Sequence, residues 1–300
     1  MKKLSKVFSA LFCIMLLSAC AAGIQNDETE VRQESTTGVE IEEKDGEEYF
    51  LFQDVEENTY RAELLENVPR NTYDFSHMSV DENTGFRTYH DEENGITSRM
   101  GIDVSEFQGE EIDWEQVRKS GIEFVIIRLG YRAYGESGDL VLDDMFDKNI
   151  KGAMDAGLDT GVYFFSQAVT PTEAVEEAEF VLDHIRPYDI EGPVVYDTEE
   201  IKGDTARTDG NTRQDFTNYC KVFCDTIEHA GYDSMIYANM KWMAFTLDME
   251  ELTDYRFWYA DYHELPQCPY EYTIWQYSEN GTVPGINTPV DLNIWFQKEG

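Results

Sequence analysis

Val194-Val195-Tyr196-Asp197-Thr198-Glu199 is a short β-branched, apolar run that ends in two acids. Such a run predicts a strand, and because side chains alternate along a strand, Asp197 and Glu199 share one face, about 7 Å apart at their Cα atoms. The same pattern, short apolar runs alternating with amphipathic stretches, fills the chain on both sides from about residue 99 onward, which is the mark of repeated βα units. Eight strands are predicted: Gly101–Ser105, Phe124–Leu129, Thr160–Phe165, Gly192–Thr198, Ser234–Ala238, Phe257–Ala260, Thr273–Tyr277 and Asp291–Trp295. Helical periodicity occupies the first four gaps, at Trp114–Ser120, Met145–Ala156, Thr172–Ile185 and Asn211–Ala230, with Gly157 and Gly231 positioned as C-terminal caps. The later gaps are shorter. The expectation is an α/β fold, a modified TIM-type (β/α) barrel of eight strands with reduced helices in its second half.

Acids at the ends of barrel strands lie at the mouth, where such barrels carry their chemistry. Besides Asp197 and Glu199, Asp103 occurs on the first strand and Asp291 on the eighth, and in a closed barrel these two strands are neighbours. The expected mouth has Asp103 and Asp291 on one wall and the Asp197/Glu199 pair across a pocket. Each acid taken singly has a plainer reading, as a helix cap or the closure of a turn. Four together point to acid catalysis, because a neighbouring like charge raises one carboxyl's pKa and separates proton donor from anion. Tyr163, Tyr262, Trp275 and Tyr277 fall near the same strand ends and are candidates to stack on or hydrogen-bond a ligand. Phe165, Trp258 and Trp295 read as core. No nucleophile elbow accompanies the histidines, so a Ser-His-Asp or Cys-His hydrolase is unsupported.

Six segments then carry a resemblance: Gly101-Ile-Asp-Val-Ser-Glu-Phe-Gln108, Gly161-Val-Tyr-Phe-Phe165, Asp197-Thr-Glu199, Trp258-Tyr-Ala-Asp-Tyr262, Trp275-Gln-Tyr277 and Val290-Asp-Leu-Asn293. In this order they resemble glycoside hydrolase family 25, the muramidases or lysozymes, from about Met100 to Phe296. The resemblance implies hydrolysis of the β-1,4 bond between N-acetylmuramic acid and N-acetylglucosamine in peptidoglycan. It makes Glu199 the general acid and Asp197 its partner carboxylate, with Asp103 and Asp291 the other acids of the site, and it calls for no metal or cofactor. Retention assisted by the substrate's acetamide and inversion through an activated water both stay open. Phe164 stands where the family motif often has His. The competing reading is a glycan-binding module that kept the barrel and lost turnover; retention of all four acids favours the enzyme.

The first residues, with Lys2, Lys3 and Lys6 before an apolar run from Val7 to Leu17, are too short an apolar stretch to span a bilayer. They close on Leu17-Ser-Ala-Cys20, which resembles a bacterial lipoprotein signal, so residues 1–19 are expected to be removed and Cys20 lipidated; an ordinary secretory signal is the alternative. Either way the protein is expected outside the cytoplasm, and the lipid would anchor it to the outer face of the membrane. Residues 20–48, acidic and nearly free of aromatics, predict a flexible tether. Aromatics return over 49–98, predicting an extension or stalk near the barrel with a hairpin around Glu82-Asn-Thr-Gly85. The catalytic barrel is expected over 99–300. A net charge of −38 disfavours nucleic acid as a partner. The expected partners are peptidoglycan strands and, through the lipid, the membrane, with the protein itself a monomer. Cys220, Cys224 and Cys268 have no metal-ligand spacing and read as buried thiols.

Overall fold

A computed structural model describes residues 30–33, 39–109 and 111–298. The proposed signal segment and Cys20 lie outside the described residues. In chain order a four-stranded antiparallel sheet comes first: β1 (Glu30–Gln33), β2 (Glu40–Lys44), β3 (Glu47–Gln53) and β4 (Thr59–Glu63). A hairpin of β5 (Met78–Val80) and β6 (Arg87–Asp91) turns through Gly85 at φ 72°, a left-handed conformation that glycine adopts without strain. The barrel follows as β7 (Ile96–Val104), β8 (Phe124–Arg132), β10 (Asp159–Phe165), β11 (Val194–Asp197), β12 (Ser234–Asn239), β13 (Phe257–Ala260), β14 (Ile274–Gly281) and β15 (Val290–Lys298), with the short β9 (Leu140–Leu142) edging β8. The helices are α1 (Trp114–Lys119), α2 (Phe146–Asp155), α3 (Pro171–Ile185), α4 (Arg213–His229) and α5 (Met240–Phe245).

All eight barrel strands and the first four helices fall where the periodicity predicts them. Local chemistry fixes the helix ends. The Thr170 side chain accepts from the Glu173 N–H ahead of Pro171 at the start of α3, and Thr212 and Asp215 form a reciprocal capping box on α4. Gly157 and Gly231 end α2 and α4 at φ 76° and 92°. Pairing of β7 with both β15 and β8 closes the ring. Its seven other strands are parallel, but β15 runs antiparallel to both neighbours. This reversal matters for Asp291. The residue begins its strand, so in an all-parallel barrel it would lie at the floor; running the strand backwards brings it to the mouth, opposite Asp103 in register.

Strand parity divides the core. Phe124, Ile126, Val195, Met235, Trp258 and Ile274 point into the barrel, whereas their sequence neighbours Val125, Ile127, Val194, Tyr196, Phe257 and Tyr259 face the surrounding layer. Helices supply that layer on one side. The stretch from Pro69 to Arg87 supplies it over β13 to β15: Tyr73 stacks on Phe296 at 4.1 Å, its hydroxyl donates to the Tyr272 carbonyl at 2.9 Å, and Asn71 and Glu271 donate backbone bonds to Pro269 and Pro69.

The tether expected over residues 20–48 is overturned in its second half, where β2 and the start of β3 pair across five positions. Val39 is buried and Ile41 packs against the core, while Glu40 faces solvent and Glu42, on the same face as Glu40, pairs with Arg61 at 3.7 Å. The mean acidity of the stretch concealed this alternation, in which apolar side chains reach the sheet's covered face and acids take the other.

Candidate active site

The mouth of the barrel holds a cavity of about 330 Å³ lined by Asp103, Asp197, Glu199 and Asp291. The four acids predicted to converge therefore do so. Glu279 joins them, and Arg128 is the one cation among the described residues lining it, already committed to Asp143 at 2.7 Å and Glu106 at 2.9 Å. Asp197 ends β11 and Glu199 follows two residues beyond it.

An amide network orients Asp103. Its Oδ2 accepts from Asn293 Nδ2 at 2.7 Å and Gln276 Nε2 at 2.9 Å. Gln276 Oε1 in turn accepts from the Tyr237 and Tyr262 hydroxyls, each at 2.9 Å, and Asn293 Oδ1 accepts from Trp258 Nε1 at 2.8 Å. Because both amide oxygens are taken by donors, both NH₂ groups are forced toward the carboxylate.

Burial dominates the acids' protonation. It pushes Glu199 upward, with the nearby Tyr237 hydroxyl opposing the rise and the Asp103 charge adding to it. Asp197 is driven well above the usual carboxylate range by burial and then by the Glu199 and Asp103 charges, and its Oδ1 has no protein partner. Asp291 is pushed up to about 9 by burial and by Asp103 beside it. Asp103 also rises through burial, although its amide donors and Asp291 favour the anion. Like charges this close cannot all ionise, so the pocket holds protons at neutral pH, and the donors around Asp103 favour it as the anion of the Asp103/Asp291 pair.

Tyr163 and Tyr262 line the cavity as predicted. Trp275 and Tyr277 do not: both are buried on the outer face of β14, where Arg87 lies 4.6 and 4.9 Å from their ring centroids and Trp275 Nε1 donates to the Asp261 carbonyl. The residue between them, Gln276, points inward. Conversely, Phe165 and Trp258, read as core, line the cavity, and so do Phe107 and Tyr237. Phe164 faces outward and packs edge-on against Phe180 of α3, in a dry setting where an imidazole would need a partner. Cys220, Cys224 and Cys268 are free and buried.

A closed, mostly parallel barrel with acids gathered at its mouth is the architecture of a barrel enzyme with its site at the usual end. The sequence profile of glycosyl hydrolases family 25 matches residues 102–286, and the chain belongs to that family. It is 27% identical over 194 residues to the autolytic lysozyme of Clostridium acetobutylicum, an alignment covering 64% of this chain and 54% of that protein. The chain thus spans about half that relative's length. Among solved structures it resembles the bacterial lysozyme of Streptomyces coelicolor (TM-score 0.52, 24% identity, covering 67% of this chain and 92% of that one). It also resembles the modular autolysin LytC of Streptococcus pneumoniae in complex with a synthetic peptidoglycan ligand (TM-score 0.59, 22% identity, covering 84% and 57%). These two likenesses concern the fold.

Proposed function

We propose that the protein is an N-acetylmuramidase that hydrolyses the β-1,4 bond between N-acetylmuramic acid and N-acetylglucosamine in peptidoglycan. The observation that carries this reading is the convergence of four carboxyl groups with raised proton affinity in one barrel-mouth cavity. Family membership and the lysozyme among its relatives support it.

Glu199 is the general acid. Its carboxyl gives a proton to the glycosidic oxygen as the bond from the anomeric carbon breaks, and water supplies the hydroxyl that replaces the leaving sugar while its other proton returns to a carboxylate. Asp197, with one oxygen free of protein partners, hydrogen-bonds the substrate's acetamide or, once it has given up its own proton, stabilises the positive charge developing at the anomeric centre. Asp103, held by Asn293 and Gln276, keeps a negative charge in the pocket that sustains the proton on Glu199. Activity accordingly falls as pH rises through the elevated pKa of Glu199, because the protonated form is the reactive one. Export and anchoring through a lipidated Cys20 belong to the same proposal, supported by Leu17-Ser-Ala-Cys20 behind an apolar run; they would hold the enzyme beside the inner wall.

The test is release of reducing ends from purified peptidoglycan, with the new terminal sugar identified by mass spectrometry. N-acetylmuramic acid ends are expected, falling by about 10²- to 10⁴-fold in Glu199→Gln. Binding without cleavage of several wall types would instead indicate a glycan-binding module.

A further inference from the structure

The catalytic cavity does not end at the barrel. It opens sideways into a groove of about 1030 Å³, and Glu199, Tyr237, Tyr262 and Glu279 line both. One wall of this groove comes from the turn joining β3 to β4, residues 53–58 of the N-terminal sheet; the loops after β11, β12 and β13 form the rest.

That turn is held rigidly. The Asp54 carboxylate accepts from the backbone N–H of Glu56 and Asn58 at 2.9 and 3.0 Å, from Asn58 Nδ2, and from the Tyr60 hydroxyl at 2.9 Å. Gln267 fastens the turn to the barrel, taking the Gln53 N–H at 2.8 Å and donating to the Gln53 carbonyl at 3.1 Å. Gln267 is itself fixed by Asp261, whose Oδ2 accepts its N–H at 2.8 Å. Across the gap, Glu56 and Lys202 form an exposed ion pair at 3.7 Å, too well solvated to bar entry. The lining combines the aromatic side chains of Tyr60, Trp242 and Tyr262 with polar groups from Asn58, Lys241, Glu200 and Asp204. Aromatic faces beside hydrogen-bonding groups suit sugar rings.

We propose that this groove binds the glycan strand for several sugars beyond the cleaved bond, so that the N-terminal sheet is a substrate-binding wall as well as a layer over the barrel. The proposal rests on the muramidase reading. Pockets of roughly 300–1,000 Å³ enclose drug-sized molecules, so the 330 Å³ cavity suits about one substituted ring and the groove several more. A linear polymer cleaved in the cavity must leave it along an open channel, and the groove is continuous with the cavity through four shared residues. Binding energy gathered there from non-reacting sugars raises kcat/KM for long strands over short ones.

The experiment compares purified protein with a Lys241→Ala/Trp242→Phe double variant on peptide-free tetrasaccharide and octasaccharide glycan. For the native protein, kcat/KM should be higher on the octasaccharide, and in the double variant the octasaccharide-to-tetrasaccharide ratio should fall about tenfold, mainly through KM. Equal kcat/KM for both lengths in the native protein, or an unchanged ratio in the variant, overturns the proposal. So does a variant effect that appears only on strands bearing peptides, which would make the groove a peptide site. If the native protein cleaves neither oligomer, the muramidase reading fails separately. The groove is then judged by titrating the same octasaccharide against tryptophan fluorescence: quenching that weakens in the variant supports it, and no quenching overturns it.

Discussion

Two polar clusters are buried in this barrel, and they are built on opposite principles. Beneath the loops of β8 and α3, Arg132 gives its Nε to Glu177 at 2.7 Å, its Nη1 to the Gly138 carbonyl at 2.8 Å and its Nη2 to the Glu173 carbonyl at 3.0 Å. The other Glu177 oxygen accepts from Ser166 Oγ at 2.6 Å, which is also 2.8 Å from the Tyr196 hydroxyl. Burial still pulls Glu177 up to about 7, but each of its oxygens has a partner. At the mouth, by contrast, four acids crowd around one cation already shared between two others, and an Asp197 oxygen has no partner. The satisfied cluster spends its polar groups on one another and holds shape. The unsatisfied one keeps proton affinity and an open acceptor in reserve for something that enters the pocket.

This contrast breaks most visibly at Arg132. Arg132→Met leaves Glu177 buried without its cation, and chemical denaturation should show a loss of about 3–5 kcal/mol. At temperatures where the variant remains folded, kcat should be nearly native. A comparable stability loss from Glu199→Gln would erase the distinction between the clusters.

Asp291 gives an effect of opposite sign that depends on pH. Its folded pKa of about 9 lies above that of an unfolded carboxyl, so between pH ~4 and ~9 the folded state binds more protons than the unfolded one, and stability drains away as pH rises through that window. Asp291→Asn removes this drain. Its melting temperature should match the native value near pH 4 and rise progressively above it as the pH is taken to 8, by about ten degrees or more if the full shift is expressed. A gain that is equal at both pH values would show that Asp291 does not hold its proton.

The smallest effect sharpens the boundary of the site. Tyr277→Phe removes a hydroxyl that accepts from the Arg87 N–H at 3.3 Å on the outside of β14. Stability should drop by about 1 kcal/mol or less, with KM on peptidoglycan unchanged. A raised KM would return Tyr277 to the list of substrate contacts.

Much of this was legible in the chain. Strand and helix positions follow from period-two and period-3.6 patterns that short parallel strands and amphipathic helices cannot avoid. Asp103 and Asp197 were found because, with Glu199 and Asp291, they fall together at the ends of predicted barrel strands, a coincidence that caps and turns do not require. Parity was harder. Trp275, Gln276 and Tyr277 alternate correctly, but which face is inside depends on what covers the outside, and over β14 that cover is the 69–87 stretch, whose own position no local pattern discloses. The direction of β15 was hidden for a related reason: alternation reads the same in either direction, and only pairing with β7 and β14 reveals the reversal. Gln276 and Asn293 were quoted in motifs yet unassigned, since an amide's role rests on partners brought together by the barrel's closure.

The backward run of β15 also decides where the chain leaves the barrel. With its start at the mouth, its nine residues carry the backbone roughly 30 Å to the floor, where Lys298 pairs with Ile96. An eighth parallel strand would have delivered that end beside the acids. For anyone attaching this protein to a bead or an electrode through a side chain near Lys298, the link would sit on the side away from the acids, leaving the pocket facing the liquid.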